Sequence, residues 1–251
     1  GDGKPGHENQ SLGLAEALAR ATPAAIHRLP ARPRWRGWLA ALFKLDPAPQ
    51  LPAPDLVIGA GHGTHATLVA AARAHPAARS VVLMKPSVPR SWFDLVVVPA
   101  HDRLPADART FVSTGALNRV VPGPARNPAR GLMLIGGESK HFDWNSEAVQ
   151  VQIRSIASRT PGIQWTVADS RRTPPDFLGA LPQLANLAPM PHGKTAPDWL
   201  PGQLSSAATV WVTPDSASMV FEALTAGCDV GVFDLPVNPK GHVGWAIAEL
   251  A

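Results

Sequence analysis

The chain has 251 residues, of which 45% are hydrophobic and 17% charged, so it can bury the core of two modest α/β domains, and global disorder is excluded. The formal net charge is +4 and the pI is near 9.7, which favours anionic partners such as nucleotides or a phospholipid surface. No apolar run reaches the roughly 18 residues of a membrane span, so no transmembrane protein is expected. No basic tract is interleaved with aromatic residues in the way that single-strand-binding surfaces use, so nucleic-acid binding is not expected either.

A glycine-rich loop opens the chain at residues 1–7, ahead of a predicted helix at residues 9–20. Loops of this type usually follow a strand, so we expect a strand and further residues upstream of residue 1. The loop combines backbone freedom with a cation and an imidazole, which are supplied by Gly3, Lys4, Gly6 and His7. His7 is the candidate general base, and Lys4 can neutralise phosphate. The alternative is an N-terminal loop that binds nothing.

An amphipathic segment follows at residues 31–45, after a short predicted strand at residues 25–29. Its apolar side chains recur at helical spacing and are Trp35, Trp38, Leu39, Leu42 and Phe43. Basic side chains flank them at Arg32, Arg34, Arg36 and Lys44. This profile is typical of a helix that lies in a membrane interface, here against an anionic lipid surface. The alternative is an amphipathic helix packed on its own domain.

The next strands predict a parallel sheet. Residues 56–58, 81–84 and 95–98 are nearly continuous in apolar side chains, as in strands that are covered on both faces. A second glycine-rich loop at residues 59–63 precedes a predicted helix at residues 64–73. Ligands of open parallel sheets bind at the carboxyl ends of the strands. We therefore expect an acceptor-side surface there that includes Gly61, His62, His101 and Asp102.

Simpler alternatives exist for two features of this surface. His62 and His65 are three residues apart, but the spacing indicates no further ligands, so no metal site is predicted. Asp102 follows a strand end, where it can orient a group or accept a proton, and the alternative is a carboxylate that only caps its turn.

A proline-rich linker is predicted at residues 120–130, and a second series of strands and helices follows it. The predicted strands and helices of this series are 132–135, 146–158, 164–168, 176–181 and 198–206. A turn after the first of these strands can contact a diphosphate through Gly136, Gly137 and Ser139. The alternative is an ordinary solvated turn. The predicted domains are residues 1–122 and 130–251, each a βα series with a glycine-rich loop after its first strand.

The most informative stretch predicts a strand at residues 210–212, a tight turn and a helix that ends at Gly227. Either Asp215 or Ser216 is placed to cap the helix. Free N–H groups, hydroxyls and the positive end of the helix dipole make such a terminus an anion site. Glu222, two turns on, can accept hydrogen bonds from a ribose diol. The alternative is a strand-to-helix turn that binds nothing.

The only cysteine, Cys228, follows this helix, so no internal disulfide can form and we expect the thiol to pack rather than react.

Several segments together resemble the mitochondrial fission "elongated mitochondria" family, which has bacterial and plant members. The matching stretches occur in order along nearly the whole chain, at residues 1–10, 56–61, 93–102, 115–120, 134–137 and 215–222. The family resembles GT-B glycosyltransferases. The resemblance therefore implies an α/β chain with two Rossmann-like domains facing across a cleft.

The resemblance also implies roles for individual residues. The diphosphate and ribose of a nucleotide sugar would be held by Asp215, Ser216, Ser218, Met219 and Glu222, with Gly136, Gly137 and Ser139 in the same pocket. From the first domain, the pocket would be faced by Gly3, Lys4, Gly6 and His7. No cofactor or metal is expected; the nucleotide-diphosphate sugar, expected to be uridine-based, is a substrate.

Two departures from the family pattern are visible. Met84, Lys85 and Pro86 stand where an acidic or polar residue before proline is expected. The chain also ends soon after His242, so we expect the helix that usually crosses back to the first domain to be incomplete.

Three functional hypotheses follow. The first is a metal-independent, GT-B-like glycosyltransferase that acts on a lipid-linked or membrane-associated acceptor. The second is a non-catalytic membrane adaptor with the same fold, and the third is a nucleotide-sugar epimerase. We expect a cytoplasmic protein, peripheral on the inner face of the membrane.

Overall fold

The computed structural model describes residues 1–123, 126–196 and 198–238. The chain divides into two compact units, Gly1–Arg119 and Val120–Ala251, called here the first and the second unit. The last residues of the predicted second domain, 239–251, lie outside the described part of the chain, and the expectation that the C-terminal helix is incomplete falls on these residues.

The first unit has one parallel sheet with the strand order β1-β2-β3-β4. Its elements are α1 Pro5–Ala21, α2 Arg34–Leu42, β1 Leu56–Ala60, α3 His65–Ala74, β2 Arg79–Leu83, β3 Leu95–Pro99 and β4 Thr110–Ser113. Alternate residues of β3 face opposite sides, because successive strand side chains point to opposite faces. Val96 and Val98 pack with α2 and α3, whereas Val97 lies in the cluster that Leu14 of α1 joins.

The start of the first unit differs from the prediction. Helix α1 begins at Pro5, so Gly6 and His7 belong to its first turn rather than to a loop. Proline is favoured at the first helical position because its φ is already helical and it has no N–H group to leave unpaired. The predicted strand at residues 25–29 is wrong, since this exposed segment is irregular. Just after this segment, the Ala31 N–H donates a hydrogen bond to the Gly1 carbonyl at 2.6 Å, which holds the chain beside its N-terminus.

The second unit has a five-stranded parallel sheet with the order β7-β6-β5-β8-β9. Its elements are β5 Asn127–Leu134, α4 Ser146–Arg159, β6 Gln164–Ala168, β7 Leu187–Met190, α5 Trp199–Leu204, β8 Ala207–Val212, α6 Ala217–Ala226 and β9 Asp229–Val232. The central strand β5 is covered on both faces. Leu132 and Leu134 join the cluster on the side of α5 and α6, and Met133 and Ile135 join the cluster on the side of α4.

Two sequence predictions for the second unit need correction, and one strand was missed. Strand β5 begins at Asn127, so the last part of the predicted linker is a strand. The predicted helix at residues 176–181 is a series of turns that buries Phe177 and Leu181. Strand β7, like β4 in the first unit, was not predicted, because it is short, lies at a sheet edge and contains Pro189.

We predict that His65 makes the folded protein sensitive to mild acid. Its side chain is 2% exposed and lies against Phe93. Burial, with contributions from His62 and Arg34, lowers the pKa of His65 from 6.5 to about 4. Between these pH values the unfolded state binds the proton more readily, so the free energy of unfolding falls as the pH falls through this window. At about 1.4 kcal/mol per pH unit, the loss reaches about 3 kcal/mol.

Urea unfolding at a series of pH values measures this effect. In His65→Phe, the dependence on pH between about 4 and 6.5 should become shallower by that amount. The exposed His27, changed to Gln, is the control and should leave the slope unchanged. An unchanged slope in His65→Phe would contradict the assignment.

Candidate functional site

The second unit has a topological switch point between β5 and β8. The chain leaves β5 towards β6 and β7 at one edge, and leaves β8 towards β9 at the other edge. The loops that follow β5 and β8 therefore separate at the carboxyl end of the sheet. This is where open parallel sheets bind their ligands.

The glycine turn after β5 is fixed from several sides. The Gly136 N–H donates to Thr213 Oγ1 at 2.7 Å, and the Gly136 carbonyl accepts from the hydroxyls of Ser170, at 2.6 Å, and Thr173. A Cβ on Gly136 would lie 2.1 Å from a carboxylate oxygen of Asp215, so only glycine fits this close approach. The turn is therefore held in one shape beside the end of β8.

Asp215 connects the turns instead of capping α6. Its side chain is fully buried; one carboxylate oxygen, Oδ2, accepts from the Gly137 N–H at 3.0 Å and pairs with Arg172 Nη2 at 2.7 Å. The other oxygen, Oδ1, is buried without a partner among the described residues. The N-cap residue of α6 is Ser216, and no described side chain caps the helix. The prediction that Asp215 or Ser216 supplies a side-chain cap is therefore wrong.

The remaining predicted residues of α6 differ in exposure. Ser216 is buried, Ser218 is exposed, and Met219 and Glu222 are half-buried. Gly227 ends the helix with a φ of 77°, as predicted. The helix therefore presents N–H groups without a side-chain cap at the carboxyl end of the sheet, where its dipole is positive.

Ser139 stabilises its own turn. Its Oγ accepts hydrogen bonds from the N–H groups of His141 and Phe142, both at 3.2 Å. Of the predicted turn residues, Gly136 and Gly137 thus lie beside the α6 turn through their contacts with Thr213 and Asp215.

The first unit pairs His7 with Asp2. Asp2 Oδ2 lies 2.9 Å from His7 Nδ1, and the two side chains are 7% and 17% exposed. Burial works to raise the pKa of Asp2, but the hydrogen bonds from His7 and the Lys4 N–H and the nearby positive charges outweigh it, so this pKa is lowered. The carboxylate therefore fixes the His7 ring through its Nδ1 atom.

The opening turn packs on the β1–α3 loop. A Cβ on Gly61 would lie 2.2 Å from His7 Nδ1, and one on Gly63 would lie 2.8 Å from Asp2. The opening segment, which contains Gly3, Lys4, Gly6 and His7, therefore lies against Gly61 at the end of β1. His62 instead contacts the buried His65 ring, with centroids 6.0 Å apart.

Asp102 holds the turn after β2. Its carboxylate accepts from the Lys85 N–H at 3.0 Å, next to Met84, whose φ is 71°. The side chain of His101 lies outside the described part of the structure. These contacts favour a structural role for Asp102, and its acceptor-side role stays a prediction.

Helix α2 presents an apolar surface to solvent. Its small buried residues Gly37, Ala40 and Ala41 face α3 and the core. The opposite surface carries large exposed side chains, namely Trp35, Leu39, Leu42, Phe43 and Leu45. Trp38 departs from the predicted outward set, because it is half-buried and packs edge-on against Trp92.

Residues that sequence reasoning missed include Asp2 and Arg172. An acidic residue five positions before His7 was a visible signal for the first. Arg172 lies in a loop after β6 with no motif of its own, and only the fold brings it to Asp215.

Neither a metal cluster nor a spanning helix is found in the described ranges. No three His, Cys, Asp or Glu side chains come together there in a way that could hold a metal ion. None of the described helices is long and apolar enough to cross a bilayer.

Comparison with known proteins identifies the fold. Residues 5–251 match the family model described as Mitochondrial fission ELM1. The structure is similar to MurG from Acinetobacter baumannii, with a TM-score of 0.50 and 16% identity over 99% of this chain and 80% of MurG. No curated protein sequence matches the chain.

Weaker similarities have TM-scores below 0.5. The calicheamicin glycosyltransferase CalG4 gives a TM-score of 0.43 at 15% identity over 94% of this chain and 70% of CalG4. The UDP-GlcNAc 2-epimerase from Neisseria meningitidis gives 0.44 at 12% identity over 96% of this chain and 80% of the epimerase. The prediction of a GT-B-like α/β chain is confirmed, and the similarity to MurG shows the fold alone.

We predict that Gly136→Ala lowers the stability of the folded protein. The added Cβ would collide with the buried Asp215 carboxylate, and overpacking of this kind costs about 1–3 kcal/mol. Differential scanning fluorimetry should show a lower melting temperature than in the wild type. Gly162→Ala is the matched control, because a Cβ there meets no atom within 4 Å. Equal melting temperatures for the two variants would contradict the tight packing of this turn.

Proposed function

The chain belongs to the mitochondrial fission ELM1 family, and we propose that it is a glycosyltransferase that takes its sugar from a nucleotide-diphosphate donor. One observation carries the proposal. The N-terminus of α6, without a side-chain cap, lies at the switch point of the second sheet, beside a glycine turn that is fixed by Thr213 and Asp215. Anions bind at such helix ends, and nucleotides bind at such switch points.

The donor would bind through groups of complementary chemistry. Backbone N–H groups and the hydroxyls of Ser216 and Ser218 would hold the diphosphate, and Glu222 would accept hydrogen bonds from the ribose diol, with Met219 beside it. The positive helix end would stabilise the leaving diphosphate, so no metal is required for that step. We propose a uridine-based donor.

The acceptor hydroxyl needs a base, for which His7 is suited. Because Asp2 holds Nδ1 at 2.9 Å, Nε2 of His7 is free to accept the proton as the hydroxyl oxygen attacks the donor sugar. Asp2 would also stabilise the imidazolium that forms. Lys4 remains a proposed ligand of the nucleotide sugar, and the proposed acceptor-side residues remain Gly61, His62, His101 and Asp102.

We propose that the acceptor is lipid-linked or membrane-associated and that the protein works in the cytoplasm, on the inner face of the membrane. The support is the outward surface of α2. Trp35, Leu42 and Phe43 are 60%, 67% and 65% exposed, and no acidic residue lies within the helix. Arg36 lies 5.0 Å from the Trp35 ring centroid, which keeps its charge beside the apolar surface. The nearby carboxylate of Asp46 is occupied by His75 at 2.9 Å.

A nucleotide panel tests the donor site. We expect uridine diphosphate and one of its sugar conjugates to raise the melting temperature by several degrees, since a ligand at 100 times its Kd stabilises by about 2.7 kcal/mol. Glu222→Ala should abolish the rise, whereas Glu147→Ala, at the exposed start of α4, should retain it. If no nucleotide shifts the melting temperature of the wild type, the donor proposal is wrong.

Vesicle co-sedimentation tests the membrane surface. We expect binding to vesicles that contain phosphatidylglycerol and little binding to pure phosphatidylcholine. Leu42→Ser with Phe43→Ser should remove it, and Arg34→Gln with Arg36→Gln should weaken it about 30-fold, at about 1 kcal/mol per basic residue. Phe111→Ser with Val151→Ser, which are 60% and 59% exposed elsewhere in the chain, is the control. Equal binding by all variants would sink this part of the proposal.

Two alternatives predict different products. A non-catalytic membrane adaptor is favoured by the α2 surface alone, and it would bind vesicles without consuming any nucleotide sugar. A nucleotide-sugar epimerase would convert the donor in the absence of an acceptor. Incubation with the donor identified in the panel, followed by product analysis with and without lipid extract, distinguishes the three.

A further inference from the structure

Arg172 ties together the turns after three neighbouring strands. It lies in the loop after β6, and its Nη1 donates to the Glu138 carbonyl, in the loop after β5, at 3.1 Å. Its Nη2 donates to the carbonyl and to the carboxylate of Asp215, after β8, at 3.4 and 2.7 Å. One guanidinium group therefore lies at the carboxyl ends of β5, β6 and β8, and its partner Asp215 directly precedes the N-cap residue of α6.

The charge of Asp215 explains why a cation is needed there. A buried carboxylate is costly unless it is paired. Arg172 supplies its only ion pair in the described ranges, and Oδ1 of Asp215 remains buried without a partner. Without Arg172, this carboxylate would repel any anion that approaches the N-terminus of α6.

Arg172 also has N–H donors that these contacts do not use. A guanidinium group has five N–H donors, and the contacts with Glu138 and Asp215 use three of them. The side chain is 43% exposed, whereas that of Asp215 is fully buried. The pair is thus asymmetric: the carboxylate faces the protein, and the guanidinium remains accessible to a ligand.

We infer that Arg172 is a phosphate ligand of the donor site, held in place by Asp215. This rests on the proposed function and adds a residue to it. Arg172 contacts the diphosphate bound at α6 and at the same time neutralises the buried carboxylate beneath it. The site therefore selects the doubly anionic diphosphate portion of the donor over an uncharged nucleoside, because guanidinium–phosphate contacts are charge-assisted.

Calorimetric titration with uridine diphosphate, inorganic pyrophosphate and uridine tests this inference. We expect Arg172→Gln to weaken binding of both phosphate ligands about 10- to 100-fold and to leave uridine binding unchanged. Arg172→Lys should fall between Arg172→Gln and the wild type, since it keeps the charge but loses the planar donor group. Arg171→Gln, at the exposed neighbouring position, is the matched control and should bind like the wild type.

A double variant keeps the test valid if Arg172→Gln alone fails to fold. Arg172→Gln combined with Asp215→Asn removes both charges, so no unpaired buried carboxylate remains. We expect it to fold and still to bind uridine diphosphate at least 10-fold more weakly than the wild type. Wild-type affinity in this double variant would overturn the inference, since Arg172 would then serve only to neutralise Asp215.

The outcomes separate this inference from the proposed function. Equal binding of uridine diphosphate by the wild type and by both Arg172 variants would refute the inference and leave the donor site standing. Pyrophosphate binding that depends on Arg172, without binding of any nucleotide sugar, would support the inference and refute the transferase. A wild type that binds neither pyrophosphate nor uridine diphosphate would refute both.

Discussion

The candidate donor site depends on the contacts that the buried carboxylate of Asp215 makes with its neighbours. A charge removed from water must be paired, and here the pairing reaches two other turns, through the Gly137 N–H and Arg172. Because Gly136 has no side chain, the turn after β5 can approach the carboxylate closely. The result is a rigid frame around the start of α6, whose own N–H groups are left without a side-chain cap.

The first unit uses a related arrangement at the end of β1. Asp2 accepts from the Lys4 N–H and holds His7, and the same turn packs on Gly61 and Gly63. In both units an aspartate orders a turn and fixes the position of a cationic or titratable side chain. The difference is that Asp2 holds an imidazole ring, whereas Asp215 pairs with a guanidinium group.

Most elements with a strong periodic pattern were predictable. Strand β6 was predicted to the residue, and α4 and α6 were predicted to within a residue or two. The failures have local causes. The edge strands β4 and β7 are only four residues long; β4 begins and ends with polar residues, and β7 contains Pro189. The start of α1 was misjudged because its glycines suggested a loop, although Pro5 is suited to a helix start.

The sequence by itself determined the fold class, the glycine turns, the stop of α6 at Gly227 and the apolar and basic surface of α2, because these depend on local conformation and periodicity. Only the tertiary structure decided which side chains meet. In the folded unit, Trp38 packs against Trp92 instead of facing outward. Asp215 does not cap α6 but binds Arg172, which lies in a loop 43 positions earlier in the chain. The physical reason is that pairing a buried charge or ring requires partners from other strands and helices, and their positions are set by the packing of the whole unit.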